Sequence, residues 1–245
     1  MTDRLRLPSP STAARVVALI VTLAACDGSS LGPPTDPDYD PMIDPADFGG
    51  PIDNPFFPLV SGTTFHYQGQ SEDGPETNDV MVTHQTRQIL GITATVVRDV
   101  EFVDGELAEE TFDWYAQDDA GNVWYLGEDS QEFEDGQPTG ANGSWEAGID
   151  GAQPGIIMKA NPQVGDRYYQ EFYLGEAEDE GEVIALNQSV TVPFGAFTGC
   201  VVTEDFTRLE PDERERKVYC PGVGLVSEAS LDGEESNELV SLDGP

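Results

Sequence analysis

The sequence predicts an all-β protein, chiefly because of how its apolar residues are spaced. Short runs rich in Val, Ile, Thr, Tyr and Phe are separated by clusters of turn-forming residues, which is typical of strands. No stretch keeps a helical period for more than about eight residues. We expect one antiparallel domain, either a β-sandwich or a half-open up-and-down β-barrel. The predicted strands are Thr63–Gly69, Asp79–Gln88, Ile89–Val103, Leu107–Gln117, Asn122–Glu128, Arg167–Leu174, Glu182–Val192, Cys200–Phe206, Arg216–Cys220, Gly224–Ala229 and Glu238–Leu242.

Alternation and turn chemistry support individual elements. In Phe112–Gln117, Phe, Trp and Ala alternate with Asp, Tyr and Gln, so the two sets should lie on opposite faces of a strand. Asp118–Asn122 follows with the Gly and Asn of a tight hairpin turn. Gln131–Asp166 is irregular, and we expect a long loop that either carries function or closes one end of a barrel.

The N-terminus predicts export and lipid attachment. Residues 1–25 combine three arginines with an apolar run that is too short to span a bilayer, as in a secretory signal peptide. This run ends in Leu-Ala-Ala-Cys, which resembles the lipobox of bacterial lipoproteins. We therefore expect transfer of a diacylglyceryl group, carrying palmitate or similar chains, to the Cys26 thiol, followed by cleavage before Cys26. The protein should then lie in the cell envelope, on the periplasmic or outer surface. A secretory signal with a chance cysteine is the alternative.

The lipidated cysteine should be followed by a tether and then by the folded domain. Residues 26–53 are rich in Pro and Asp and too poor in apolar residues to offset the entropy of ordering, so we expect them to be disordered. The all-β domain is expected over residues 54–245.

Charge limits the partners. The chain has 47 acidic and 11 basic residues, a net charge of −36, which excludes nucleic acid and anionic lipid surfaces. It permits calcium ions, cationic peptides and polyamines. Solvation in a saline habitat is the alternative explanation.

The remaining two cysteines should pair in an oxidising compartment. Two reduced, buried cysteines are the alternative. Setting Cys200 opposite Cys220 gives favourable cross-strand neighbours, namely Val202 with Val218 and Glu204 with Arg216.

One long motif resembles a known family. Asp113–Glu128, DWYAQDDAGNVWYLGE, is similar to a family of uncharacterised secreted bacterial proteins and lipoproteins. That resemblance implies no catalytic assignment. Four further stretches resemble the same family: Asn54–Leu59, Gly143–Met158, Gln170–Asp179 and Tyr219–Val226.

Candidate functional residues are aromatic and acidic. The sequence contains no Gly-x-Ser-x-Gly, His-Glu-x-x-His or Cys-x-x-Cys motif, and we assign no catalytic residue. An aromatic binding face is predicted at Trp114, Tyr115, Trp124 and Trp145, with Tyr125 beside them. A calcium site is a weaker hypothesis, because carboxylates flanked by aromatic or glycine residues occur at Glu128, Glu146, Glu171, Glu176 and Asp179.

The sequence therefore favours a non-enzymatic binding or scaffold module of the cell envelope. It would be attached to the membrane by lipid and would bind a small molecule, a glycan or a protein, with no cofactor unless calcium binds. Two alternatives remain open. One is a carbohydrate-active enzyme with a carboxylate pair, and the other is a lipid or lipoprotein carrier with an apolar cavity.

Overall fold

The computed structural model describes residues 39–141 and 143–244. The predicted signal peptide, the lipidation site Cys26 and residues 27–38 of the predicted tether lie outside these residues. Within the described ranges, no helix is long and apolar enough to cross a membrane.

The described chain is all-β, as predicted, and its strands form one antiparallel sheet. A short 3-10 helix, Pro45–Asp47, precedes the strands. The strands are β1 (Thr64–Ser71), β2 (Gly74–Ile89), β3 (Ile92–Val103), β4 (Glu106–Gln117), β5 (Val123–Glu134), β6 (Gln137–Gly140), β7 (Trp145–Glu146), β8 (Gln153–Met158), β9 (Arg167–Tyr169), β10 (Glu171–Phe172), β11 (Asp179–Val192), β12 (Gly195–Thr207), β13 (Arg214–Cys220), β14 (Gly224–Ser230) and β15 (Ser236–Asp243).

The sheet curls into a nearly closed barrel. Strands β1 to β5 and β11 to β15 are two meanders, and pairing of β1 with β15 joins them. The two ends of the strand order are β10 and β9, which only Gln170 separates in sequence. Because the two edge strands are separated by a single residue, they must lie close together, and the sheet must bend round on itself. The prediction of a barrel is confirmed, and the sandwich alternative is not.

The segment predicted as a long loop is more regular than expected. Three short strands interrupt it, and β6, β7 and β8 all pair with β5. Trp145 and Ala147 pack with Trp114 and Leu126, so this part of the segment covers one face of β4 and β5. The missed strands are short or contain Pro and Gly, which weakens an alternation signal.

The predicted disulfide and its register are confirmed. Cys200 and Cys220 are bonded, and both are fully buried in an apolar cluster with Val226 and Leu239. Strands β12 and β13 pair in the predicted register, with Val202 opposite Val218 and Glu204 opposite Arg216.

Residues 39–53 differ from the predicted disordered tether. The Tyr39 hydroxyl donates to the Pro154 carbonyl at 3.0 Å, and its ring contacts Tyr169 and Phe172. The folded unit therefore includes Tyr39 and does not begin at Asn54. A few aromatic anchors offset the ordering entropy that composition suggested would dominate.

Asn54 fixes the end of this segment on the barrel. Its side chain, 2% exposed, donates to the carbonyls of Gly121 and Lys159 and accepts from the Phe56 amide. The next residue, Phe57, then stacks edge-on against Tyr115 in the barrel interior. The segment thus closes one end of the barrel.

Candidate functional site

The barrel interior carries carboxylates because strand alternation directs them there. On β3, Val97, Asp99 and Glu101 share one face, and on β4 Asp113 and Tyr115 do. Residues between them, such as Trp114, pack on the opposite face of the sheet. Polar groups on the enclosed face leave the barrel with an unfilled, polar interior, which we call the lumen.

The lumen consists of three adjoining cavities. One of about 210 Å³ is mainly apolar, and two of about 170 Å³ and 390 Å³ are mainly polar. Asp99 lines all three, and Asp113 lines the apolar cavity and the smaller polar one. The apolar cavity is lined by Phe57, Leu59, Phe65, Tyr67, Val80, Val97, Tyr115, Ile157, Tyr219, Val223 and Leu225 among others.

One tyrosine holds two of the carboxylates together. The Tyr125 hydroxyl lies 2.6 Å from Asp113 Oδ1 and is also hydrogen-bonded to Glu128 Oε2. A phenol has one hydrogen to donate. When it donates to one carboxylate, the other must carry a proton and donate to the phenol oxygen.

The ionisation of this pair agrees with a shared proton. Burial, and then the charge of Glu128, raise the pKa of Asp113 to about 7. Burial also raises the pKa of Glu128 to about 7, although the Tyr125 hydrogen bond lowers it. At neutral pH the pair therefore retains a proton.

Asp99 and Glu101 extend the acidic wall along β3. Burial, with the nearby charge of Asp113, raises the pKa of Asp99 to about 8, and Asn78 Nδ2 donates to Asp99 Oδ1 at 2.7 Å. Burial, followed by the charges of Glu76 and Glu109, raises the pKa of Glu101 to about 8. These groups repel one another because no base lies among them.

The opposite wall of the lumen contains a lysine. Lys217 Nζ lies 3.5 Å from both Asp205 and Glu215 and 3.6 Å from Glu228. Burial lowers the pKa of Lys217, but these three acids outweigh burial and raise it well above its usual value. Lys217 also lowers the pKa of Glu215, whereas burial raises the pKa of Glu228 to about 8, so the lysine neutralises only part of the charge of this wall.

The other basic residues of the described chain are already paired away from the acidic wall. The ion pairs are Arg87 with Glu146, Arg98 with Glu110, Lys159 with Asp166, Arg167 and Arg208 with Glu180, and Arg214 and Arg216 with Glu204. Across residues 39–141 and 143–244, no ion pair reaches Asp99, Glu101, Asp113 or Glu128.

A second hydrogen-bonded acid pair lies beside Glu128. Trp145 Nε1 donates to Glu171 Oε2 at 2.6 Å, and Glu171 in turn hydrogen-bonds Asp179. Burial, then Asp179 and Glu128, raise the pKa of Glu171 well above its usual value. The raised pKa favours the protonated form of Glu171, which can donate to Asp179.

The five predicted calcium ligands separate into two groups. Glu128, Glu171 and Asp179 come close enough to interact electrostatically. Glu146 instead pairs with Arg87 at 2.5 Å, and Glu176 is exposed. Among the described residues, no group of three or more His, Cys, Asp or Glu is arranged to hold a metal ion. The predicted five-residue set is therefore not assembled, because Glu146 on β7 pairs with Arg87 and Glu176 lies in the exposed turn between Tyr173 and Ala177.

The predicted aromatic face is also divided. Tyr115 lines the apolar cavity. Trp114 and Trp145 are buried in the cluster on the opposite face, with the Arg87 guanidinium 4.0 Å from the Trp114 ring centre. Trp124 donates to Asp118 at 2.9 Å and packs against Phe48. The tryptophans stabilise the wall, and of the four only Tyr115 reaches the lumen.

Sequence reasoning missed the residues that line the lumen most extensively: Asp99, Glu101, Asp113, Lys217, Tyr219 and Glu228. A signal was present in Val97–Glu101, where charged residues occupy both faces of a Val-rich strand. A strand that is polar on both faces has one polar face turned to a water-filled interior when the sheet closes.

No family model matches the chain, and no curated protein matches it. Two solved structures are similar to it. One, described as a "putative exported protein with YmcC-like fold" from Bacteroides fragilis, is 16% identical with a TM-score of 0.45. The other, a "putative lipoprotein" from Parabacteroides distasonis, is 15% identical with a TM-score of 0.43. Each similarity covers 77% of this chain and 98% of the other.

Proposed function

We propose that the protein is a lipid-anchored module of the bacterial cell envelope that binds a small molecule in its lumen and is not an enzyme. The observation that carries the binding role is the set of three unfilled cavities that meet at Asp99. Protein interiors are ordinarily packed to the density of crystals, and unfilled space with convergent polar groups is typical of a binding site.

The envelope location rests on the leader and on the disulfide. The Leu-Ala-Ala-Cys26 sequence is the expected acylation site, and Cys200–Cys220 is the kind of bond that persists in an oxidising compartment. We also propose membership of the secreted family that Asp113–Glu128 resembles.

The geometry supports the two alternatives less well. A glycosidase needs two carboxylates that flank a sugar, at a separation of about 5 Å or more. Asp113 and Glu128 instead share one hydroxyl, which leaves no space between them for a ring. A lipid carrier needs a large apolar cavity, but the apolar cavity is about 210 Å³ and the larger cavity is polar.

Native mass spectrometry of the chain Asp27–Pro245, exported and purified from its own host, tests the binding role. We expect a retained adduct of defined mass. Leu225→Trp should displace it by filling the apolar cavity, whereas Leu174→Trp, at a residue 49% exposed, should not. An adduct-free protein, or an adduct unaffected by Leu225→Trp when the near-UV circular dichroism is native, would contradict the proposal.

Metabolic labelling with a palmitate analogue tests the anchor. The full chain should take up the label and fractionate with membranes, and Cys26→Ser should abolish both. Cys220→Ser is the control, because that thiol is expected to pair with Cys200 and not with lipid.

A further inference from the structure

The apolar and acidic parts of the lumen meet at two carboxylates. Asp99 and Asp113 line the apolar cavity together with Phe57, Tyr115 and Tyr219, and both also line the smaller polar cavity. A molecule that fills the apolar cavity therefore places one end against these acids.

Among the described residues, no ion pair reaches the acids at this junction. In the part of the chain that the structure describes, the side chain that hydrogen-bonds Asp99 is Asn78, and the side chain that hydrogen-bonds Asp113 is Tyr125. The single lumen lysine, Lys217, is held by three acids of its own. When these acids ionise, no described basic residue pairs with them, and a cationic ligand would neutralise their charge.

A buried polar group at the same place also lacks a partner. Asn78 Oδ1 is buried beside the smaller polar cavity, which Asp99 and Asp113 also line, and no described residue hydrogen-bonds it. The great majority of buried polar groups are hydrogen-bonded, and an exception needs a cause. A ligand in this cavity would supply the partner.

We infer that the lumen binds an amphipathic organic cation, with its ammonium group between Asp99 and Asp113 and its apolar body in the cavity walled by Phe57, Tyr115 and Tyr219. This inference rests on the proposed function and names its ligand class. Rings of Tyr115 and Tyr219 add cation–π attraction and apolar contact, neither of which benefits a hydrated metal ion.

Binding is linked to proton release. The groups that face Asp99 and Asp113 are Glu76 and Asn78 on β2, Glu101 on β3, Glu109 on β4, Tyr125 and Glu128 on β5, Lys217 and Tyr219 on β13, and Glu228 on β14. Burial, and then the charges of neighbouring carboxyl groups in this set, raise the pKa values of Asp99, Glu101 and Asp113. The pKa values of Asp99 and Asp113 are about 8 and about 7, so an entering cation displaces protons at neutral pH. Affinity for the cation therefore rises as the pH rises from 6.5 to 8.5.

Isothermal titration calorimetry with 2-phenylethylamine and 2-phenylethanol tests the inference on the chain Asp27–Pro245, which contains every described residue. The two probes share one apolar body, and an alkylammonium group stays charged up to a pH of about 10. We expect the amine to bind at least tenfold more tightly at pH 8.5, to weaken severalfold at pH 6.5, and to release protons detectable in buffers of different ionisation enthalpy.

Matched variants locate the charge. Asp113→Asn and Asp99→Asn should each weaken the amine about tenfold and leave the alcohol unchanged. Asp150→Asn removes the same charge at an exposed turn and should change neither affinity more than twofold.

The results separate the inference from the proposed function. Equal affinities for the amine and the alcohol would overturn the inference that the ligand is a cation, but would leave the proposal that a ligand binds in the lumen. Binding of calcium chloride in place of the amine, or no binding of either probe, would also overturn the inference. Native mass spectrometry tests the proposed function independently. A neutral adduct that is displaced by Leu225→Trp would support that function even if the ligand is not a cation.

Discussion

The two walls of the lumen contain similar numbers of acids but differ in whether a basic residue lies beside them. On the β12–β14 wall, Asp205, Glu215 and Glu228 surround Lys217. On the β3–β5 wall, the side chains that donate hydrogen bonds to Asp99, Asp113 and Glu128 are, among the described residues, Asn78 and Tyr125. The first wall contains a cation of its own, although burial still raises the pKa of Glu228 to about 8, whereas the described part of the second wall contains no cation.

This difference separates a structural acid cluster from a candidate binding site. Charges neutralised within the protein gain nothing further from a ligand, whereas protonated carboxyl groups can exchange a proton for a cation. It also shows why the net charge of −36 could not locate the site. The site is defined by which acids lack a base, and that is a property of the fold.

The largest expected effect comes from removing the cation of the β12–β14 wall. Lys217→Met leaves three acids without a counterion and should lower the free energy of unfolding by about 3 kcal/mol or more at pH 8. Lys159→Met, which breaks a more exposed pair with Asp166, should cost about 1 kcal/mol or less. Urea denaturation measures both. Equal costs for the two variants would show that the walls do not differ as described.

The disulfide holds the two strands that carry Asp205 and Lys217 together. Replacing Cys200 and Cys220 together by Ala should lower the free energy of unfolding by about 3 kcal/mol, because the bond closes a loop with a sequence separation of 20. The measurement is urea denaturation of the double variant against the oxidised protein. A loss of less than about 1 kcal/mol would mean that the pairing of β12 with β13 is secured without it.

The acids of the β3–β5 wall should determine whether stability rises or falls with pH. The pKa values of Asp99, Glu101, Asp113 and Glu128 in the fold lie above those of free carboxyl groups, so the folded state binds more protons. Their stabilising contribution is complete below a pH of about 4 and is lost as the pH rises through 7 to 8. We expect the free energy of unfolding to fall by about 3 kcal/mol or more between pH 5 and 8, because one such group alone contributes about that much.

Thermal melting at a series of pH values checks this slope. Asp113→Asn should flatten it, and the exposed Asp150→Asn should not. Acids whose pKa is lowered, such as Glu180 beside Arg167, act in the opposite direction only at lower pH. A stability that rises from pH 5 to 8 would refute the contrast between the walls.

The smallest expected effect on stability comes from removing the hydroxyl that joins Asp113 and Glu128. Tyr125→Phe removes the hydroxyl between Asp113 and Glu128 and should cost about 1 kcal/mol at pH 8. It should also raise the pKa of both carboxyl groups, because a hydrogen bond that favours their charged form is lost. Carboxyl carbon NMR titration measures the change. Tyr173→Phe, away from the lumen, is the control.

Local patterns were sufficient for the strands and for one long-range pair. Alternation in Phe112–Gln117 separates the cavity residues Asp113 and Tyr115 from buried Trp114, as the structure does. The complementary residues around Cys200 and Cys220 gave the register of β12 with β13. Both succeed because the period of a strand and the chemistry of facing residues are encoded within short stretches.

Predictions from amino-acid composition were wrong where a few specific contacts order a segment whose average composition suggests disorder. The segment from Tyr39 to Asp53 is acidic and Pro-rich, yet Tyr39 and Ile52 anchor it to the barrel. Similarly, three tryptophans resemble a binding surface in sequence, but two of them pack in a buried cluster with Leu126 and the third against Phe48. The number of aromatic residues does not reveal which face of the sheet becomes enclosed.

The sequence by itself determined the all-β class, the turn at Asp118–Asn122 and the Cys200–Cys220 pairing, because each depends on period, turn chemistry or neighbouring charge. Only the tertiary structure decided that Asp99, Asp113 and Glu128 face one space, and that Lys217 lies among the acids of the other wall and not of this one. The reason is that barrel closure brings together strands far apart in the chain. The energy of each carboxyl group then depends on burial and on neighbours that no local pattern specifies.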